Sequence, residues 1–100
     1  MMDVLVVGRS RSTMDAAIGL LETWGFPARG VTADEEALTA LDTRRFRVLV
    51  IGGGVERTSR DWLKDSASRH GLTVVEVRRD GRDLEVYLRE EVVPVLREPD

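Results

Sequence analysis

Val4-Leu5-Val6-Val7-Gly8 and Val48-Leu49-Val50-Ile51-Gly52 are the two stretches from which the fold is read. Each is a four-residue aliphatic run, rich in β-branched side chains, without polar alternation, and each is cut off by glycine. A strand with one wet face alternates apolar and polar residues, whereas a run apolar at every position has both faces covered, as in a parallel sheet between helices. Both runs therefore read as central strands, and the loops that follow them need glycine.

Working outward, the pattern repeats. After Arg9-Ser10-Arg11, Ser12 is placed to cap a helix over residues 12–24, with Ala17, Ile18, Leu21 and Trp24 on one stripe and Gly25 as its stop. Residues 26–31 form a short strand that Pro27 and Gly30 push to a sheet edge. Thr32-Ala33-Asp34-Glu35 reads as a capping box opening a second helix, to about Arg44, with Ala37, Leu38 and Leu41 inward. Ser59 precedes a third helix carrying Trp62, Leu63, Ser66 and Ala67 on one side and closing at His70-Gly71. Residues 72–77 are a fourth strand. Leu84, Tyr87, Leu88, Val92, Val95 and Leu96 share one helical face, with Pro94 kinking or ending that helix. The alternation Leu84-Glu85-Val86-Tyr87-Leu88 after Asp80-Gly81 also fits an antiparallel hairpin strand, so two readings of 84–88 stand.

Four alternations of strand and helix imply right-handed crossovers and a parallel sheet covered on both faces. The expected fold class is α/β: a three-layer flavodoxin-like or Rossmann-like sandwich, sheet order 2-1-3-4, with four helices, as a single domain over 1–100. That order puts a topological switch point between the first and third strands, where open α/β sheets bind ligands.

Composition narrows the function more by exclusion than by assignment. The 100 residues are 42% hydrophobic and 33% charged, with 18 acids against 15 bases and a net charge of −3. This balance gives no general attraction to nucleic acid or anionic lipid. The absence of cysteine removes thiol nucleophiles and the usual structural zinc sites, and one histidine cannot build a histidine-rich metal site. Neither a leader sequence nor a membrane span is read, so a cytoplasmic location is expected. No catalytic group and no cofactor are assigned. Fourteen of the fifteen bases are arginine, and several fall in the two switch-point loops, 8–13 and 52–59. Gly8, Arg9, Ser10, Ser12, Gly52, Gly53 and Arg57 are the candidate anion-binding residues, because helix N-termini and their donors suit a phosphate. The alternative is that Ser and Thr cap helices and the arginines are solvated or paired with Glu56 and Asp61. Gly52-Gly53-Gly54 lacks the following Gly-Lys-Ser/Thr of a phosphate-binding P-loop. His70 reads as structural, Asp61 and Asp65 as a solvated charged face, and Trp24 and Trp62 as core.

Over about residues 3–77 the chain resembles the receiver domain of two-component response regulators. The likeness is carried by Val4–Val7, by Leu20-Leu-Glu-Thr-Trp-Gly-Phe26, by Glu36-Ala-Leu-Thr-Ala-Leu41 and by Phe46-Arg-Val-Leu-Val-Ile51. Receivers use an acidic pair after the first strand for Mg²⁺, an aspartate ending the third strand as phosphoacceptor, a Thr or Ser ending the fourth and a Lys ending a fifth. Here those positions hold Gly8 and Arg9, Gly52 and Arg78, and no fifth strand fits. The resemblance therefore implies a pseudo-receiver: a non-enzymatic regulatory module of signal transduction, not phosphorylated, acting through a protein partner. Self-association through the edge of strand 72–77 or through the C-terminal helix is the corresponding expectation. The alternative function is a phosphate- or nucleotide-binding domain at the switch point. Val6-Val-Gly-Arg-Ser10 is also similar to a segment of the NADP-binding Rossmann domain of methylenetetrahydrofolate dehydrogenases. Ser10 and Thr13 stand where the dinucleotide fingerprint needs glycine, and no acid ends the second strand.

Overall fold

A computed structural model describes residues 3–78 and 80–98. Four parallel strands, β1 (Val4–Val7), β2 (Ala28–Val31), β3 (Val48–Ile51) and β4 (Thr73–Glu76), lie in the order β2-β1-β3-β4. The register is in step throughout, with Val4 opposite both Ala28 and Val48, and Val48 opposite Thr73. The helices are α1 (Arg11–Thr23), α2 (Asp34–Asp42), α3 (Arg57–Arg69) and a C-terminal helix. That last helix is built from α4 (Leu84–Tyr87), a π-helical turn (Leu88–Val92) and α5 (Val93–Arg97). The Rossmann-like three-layer architecture and the switch point between β1 and β3 are thus as the sequence implies.

Because side chains alternate across a strand, the two apolar runs feed two cores. Val4, Val6, Val48 and Val50 pack with Met14, Ala17 and Leu21 of α1 and with Tyr87, Leu88, Val92 and Leu96 of the C-terminal helix. Leu5, Val7, Leu49 and Ile51 face the other way, onto Ala37, Ala40 and Leu41 of α2 and Leu63 and Ala67 of α3. Every residue of β1 and β3 is buried. β2 sits at an edge, as Pro27 and Gly30 predict. Gly30 has a further reason: a Cβ there would stand 2.5 Å from Ile18 Cδ1 and 2.7 Å from Met14 Sδ, so glycine lets α1 lie against β2.

Segment 84–88 is helical, which settles the two readings. The Asp83 carboxylate accepts the Val86 N–H at 2.9 Å and starts the helix. The π-helical turn comes just before Pro94. Proline has no N–H for the carbonyl four residues back and its ring crowds that carbonyl, so the helix widens there, and the Val93 N–H reaches Leu88 O instead. α1 and α3 both end in the paired bonds of a Schellman cap, at the glycines the sequence marks: Phe26 N–H to Leu21 O with Gly25 N–H to Glu22 O, and Leu72 N–H to Ala67 O with Gly71 N–H to Ser68 O.

Several local expectations are corrected. Ser10, not Ser12, is the N-cap of α1. It is extended and accepts the Thr13 N–H, while Ser12 is exposed in the first turn. The Thr32–Glu35 capping box does not form. Ala33 is the N-cap of α2 without a side-chain bond, and Asp34, Glu35 and Glu36 bring negative charge to the helix start instead. That helix stops at Asp42, short of Arg44, whose φ is 58°. α3 begins at Arg57, so Ser59 lies inside it and is buried. Its inward stripe is Ser59, Leu63, Ser66 and Ala67, and Trp62 is turned out at 56% exposure. Trp24 is partly buried, with the Arg89 guanidinium 5.2 Å from its ring centre. The fourth strand is shorter than 72–77.

Candidate functional site

At the carboxyl ends of β1 and β3 the chain leaves the sheet twice in opposite directions, α1 to one face and α3 to the other. The gap this leaves is a cleft of about 530 Å³. Its floor is Val6 and Val50, with the end of β1 at Val7 beside them. One wall is Met14 and Ala17 of α1, the other is Leu84, Tyr87 and Leu88 of the C-terminal helix, with Val77 beside them. Gly8, Arg9, Ser10, Thr13 and Gly52 to Gly54 form the rim.

The two loops are held together closely. Gly52 N–H donates to Val7 O at 2.7 Å, and a Cβ at Gly52 would meet Val7 O at 3.2 Å and Gly8 Cα at 3.3 Å. The glycine is needed because the β1 backbone passes within contact distance. Gly8 N–H donates to Val31 O. Both N–H groups are therefore spent on extending the sheet. Arg60 secures the glycine turn from below, donating from Nε to Val55 O at 2.8 Å, from an Nη to Gly52 O at 3.0 Å and to Glu76 at 3.1 Å. Burial works to raise the Glu76 carboxyl. The hydrogen bonds and charges of Arg60 and Lys64 outweigh it and leave it below the ordinary glutamate range.

Arg9 is positioned as a staple between three loops. Its guanidinium donates to Glu56 from Nε and from an Nη, both at 3.0 Å, to Asp34 at 2.7 Å, to Ser59 Oγ at 3.2 Å and to the Thr32 carbonyl. Ser59 in turn donates its hydroxyl to Asp34. Glu56 and then Asp34 stabilise the charged guanidinium and raise its affinity for the proton. The Ser59 hydroxyl and Arg9 hold the Asp34 carboxyl below its usual range, and Arg9 does the same to Glu56. Each of the two carboxylates thus carries a partner, and the three groups together sum to about one negative charge.

Of the sequence-predicted site residues, the rim brings together Gly8, Arg9, Ser10, Gly52 and Gly53. Ser12 and Arg57 lie on exposed first turns of α1 and α3, outside the lining. Arg11 and Arg57 make no side-chain hydrogen bond or ion pair among the described residues. Arg9 pairs with Glu56, as expected, and with Asp34, which the sequence reading does not pick as a partner, rather than with Asp61. Of the first-turn N–H groups of α1, that of Thr13 goes to Ser10 Oγ and that of Met14 to the Ser10 carbonyl, which leaves those of Arg11 and Ser12 without an intrahelical acceptor. The apolar walls were missed, although Met14, Leu84 and Leu88 are visible as apolar positions. Nothing local says that two helices far apart in sequence leave a gap between them.

Tyr87 is 1% exposed. Its hydroxyl donates to Glu76 O at 3.3 Å and Arg82 lies over its ring at 5.3 Å. Burial raises the phenol, which stays neutral. His70 caps α3 with Nε2 3.1 Å from Asp42, a partner supplied by α2. Among the described residues no group of three or more His, Asp or Glu could hold a metal ion, and no helix is long and apolar enough to cross a membrane.

No protein-family model matches the chain, and no curated protein does. Solved structures do. A de novo designed Rossmann 2x3 fold protein superposes with a TM-score of 0.64 at 12% identity, covering 90% of this chain and 70% of the other. A phosphate-loop protein gives 0.62 at 21% identity, covering 100% and 97%. A de novo designed Rossmann fold protein gives 0.57 at 16% identity, covering 89% and 94%. At such identities the likeness is one of fold, and it is Rossmann-like rather than specific to receivers.

Proposed function

We propose that this chain is a non-enzymatic binding module whose ligand is a small molecule held in the cleft between α1 and the C-terminal helix. The observation that carries the proposal is the cleft itself: about 530 Å³, at the switch point, with apolar walls and a polar rim. Small-molecule sites have this size and make-up, and open α/β sheets place them here. An anionic group on the ligand would face the first turn of α1. One fold neighbour is described as a phosphate-loop protein. Here, however, the glycine turn 52–54 runs into Val55-Glu56 without the lysine of a P-loop, which argues for binding rather than nucleotide hydrolysis. Ser10 and Thr13 are engaged with each other at the helix cap, and among the described residues no general base lines the rim beside them.

The test is a ¹⁵N–¹H correlation spectrum during a small-molecule screen. Saturable shifts confined to Gly8–Thr13, Gly52–Gly54 and Leu84–Leu88 support the reading. A screen that moves none of these amides refutes it.

The receiver-like regulatory reading has its own observation. β4 is an outer strand with Thr73 exposed, and an open edge of this kind can pair with a second chain. Sedimentation equilibrium at tens of micromolar decides: a dimer that Val74→Pro abolishes supports it, and a monomer removes self-association through this edge.

A further inference from the structure

The walls of the cleft say more about the ligand than the rim does, and the inference rests on the reading of the cleft as a ligand site. Met14 and Ala17 on one side, and Leu84, Tyr87 and Leu88 on the other, come from helices that share one core. They form two opposed apolar faces over a floor of valines. Among the described residues Arg9 is the single charged one in the lining. It is turned away toward Asp34 and Glu56, where its donors are already used. A polyphosphate would thus meet no free cation among the described residues of the lining and a locally negative staple behind the rim, so most of its charge would lose water for few replacement partners. Arg11 and Arg57 stand outside the lining, and at solvent-exposed positions an attraction of theirs is weak and screened. Apolar ring surface, by contrast, gains wherever it covers the apolar surface the walls leave open, chiefly at Leu84 and Val77, which are only partly buried.

We infer that the cleft takes a flat, predominantly apolar, ring-bearing ligand with at most one anionic group, and discriminates against nucleoside polyphosphates and inorganic phosphate.

The experiment titrates the ¹⁵N-labelled protein with 1-naphthyl phosphate, ATP and inorganic phosphate, following the amides of the rim and of Leu84–Leu88. The expected result is saturable binding of 1-naphthyl phosphate, at least about tenfold tighter than ATP, with no saturable effect of inorganic phosphate. Leu84→Ala, a change at a partly buried wall position, should weaken 1-naphthyl phosphate about threefold to tenfold, and Leu84→Glu further, through lost apolar contact and added negative charge. ATP binding at the same amides as tightly as 1-naphthyl phosphate overturns the inference and leaves the cleft a ligand site. Naphthyl phosphate shifts that centre on exposed Trp62 rather than on the cleft overturn it also. If none of the three probes moves the cleft amides while the wider screen finds a ligand there, the inference fails alone. If the wider screen also fails, both readings fall.

Discussion

Replacing Arg9 by methionine separates a structural staple from an anion ligand. Methionine keeps the aliphatic stem, whose Cβ and Cγ lie 3.7 and 3.9 Å from the position of a Cβ at Gly54, and removes only the guanidinium. What is lost is the bond to the Thr32 carbonyl and the pair with Asp34, whose side chains are 27% and 24% exposed for Arg9 and Asp34. Glu56 is 63% exposed and its share is left out. An exposed ion pair is worth roughly 0.2–1 kcal/mol and breaking a fully buried one costs roughly 3–5. A pair about three-quarters covered, discounted for residual solvent screening, falls near 1.5 kcal/mol. With an unfolding entropy of about 2.1 cal/mol/K per residue, that lowers the Tm of a 100-residue domain by about 7 °C. Thermal unfolding followed by circular dichroism measures it, and a double-mutant cycle with Asp34→Asn should show a coupling of about 1 kcal/mol. Affinity for any cleft ligand should stay within about threefold, because the guanidinium points away from the cleft. A stability within about 0.5 kcal/mol of the parent, without coupling to Asp34, would refute the reasoning.

The Arg9 staple makes Asp34 and Glu56 ionise more readily in the folded chain, and Arg60 with Lys64 does so for Glu76, so the contribution of all three is complete at neutral pH and lost as pH falls below about 4 through their folded-state values. Urea midpoints between about pH 7 and pH 2 should decline in that window, and less steeply in Arg9→Met; an equal slope in both would count against the staple. Gly30→Ala should destabilise by about 1–2 kcal/mol despite the better strand propensity of alanine, because its Cβ meets Ile18 and Met14, and Ile18→Ala in the same chain should recover part of the loss. Tyr87→Phe should cost about 1 kcal/mol by leaving the Glu76 carbonyl without its donor, whereas Leu88→Ala in the same core should cost about 2–5, both read from urea denaturation. Trp62→Arg should change stability by less than about 0.5 kcal/mol; a larger loss would mean that the indole packs after all.

Much of this was already present in local pattern. The unbroken aliphatic runs 4–7 and 48–51 demand cover on two faces, and only a parallel sheet between helices supplies it. Gly25 and Gly71 mark helix ends because a Schellman cap is a local event, closed within six residues. Strand order followed from the ranking of apolar content, and the switch point followed from strand order.

What needed the tertiary structure is whatever depends on distance between residues far apart in the chain. Ser10 and Ser12 are both good caps, and the short exit from β1 chooses the first. Trp62 is the largest apolar residue of α3, yet Ser59, Leu63, Ser66 and Ala67 take the buried positions and the indole is turned out. Arg9 sits in a loop that reads as an anion site, and only the convergence of the starts of α2 and α3 on it shows that its charge is already answered by Asp34 and Glu56. The cleft is the furthest from local reading, since its two walls are α1 and a helix near the end of the chain. Sequence determines which side chains seek cover; the packing of helices onto a sheet decides where cover is incomplete, because a gap belongs to no segment but to the space between two.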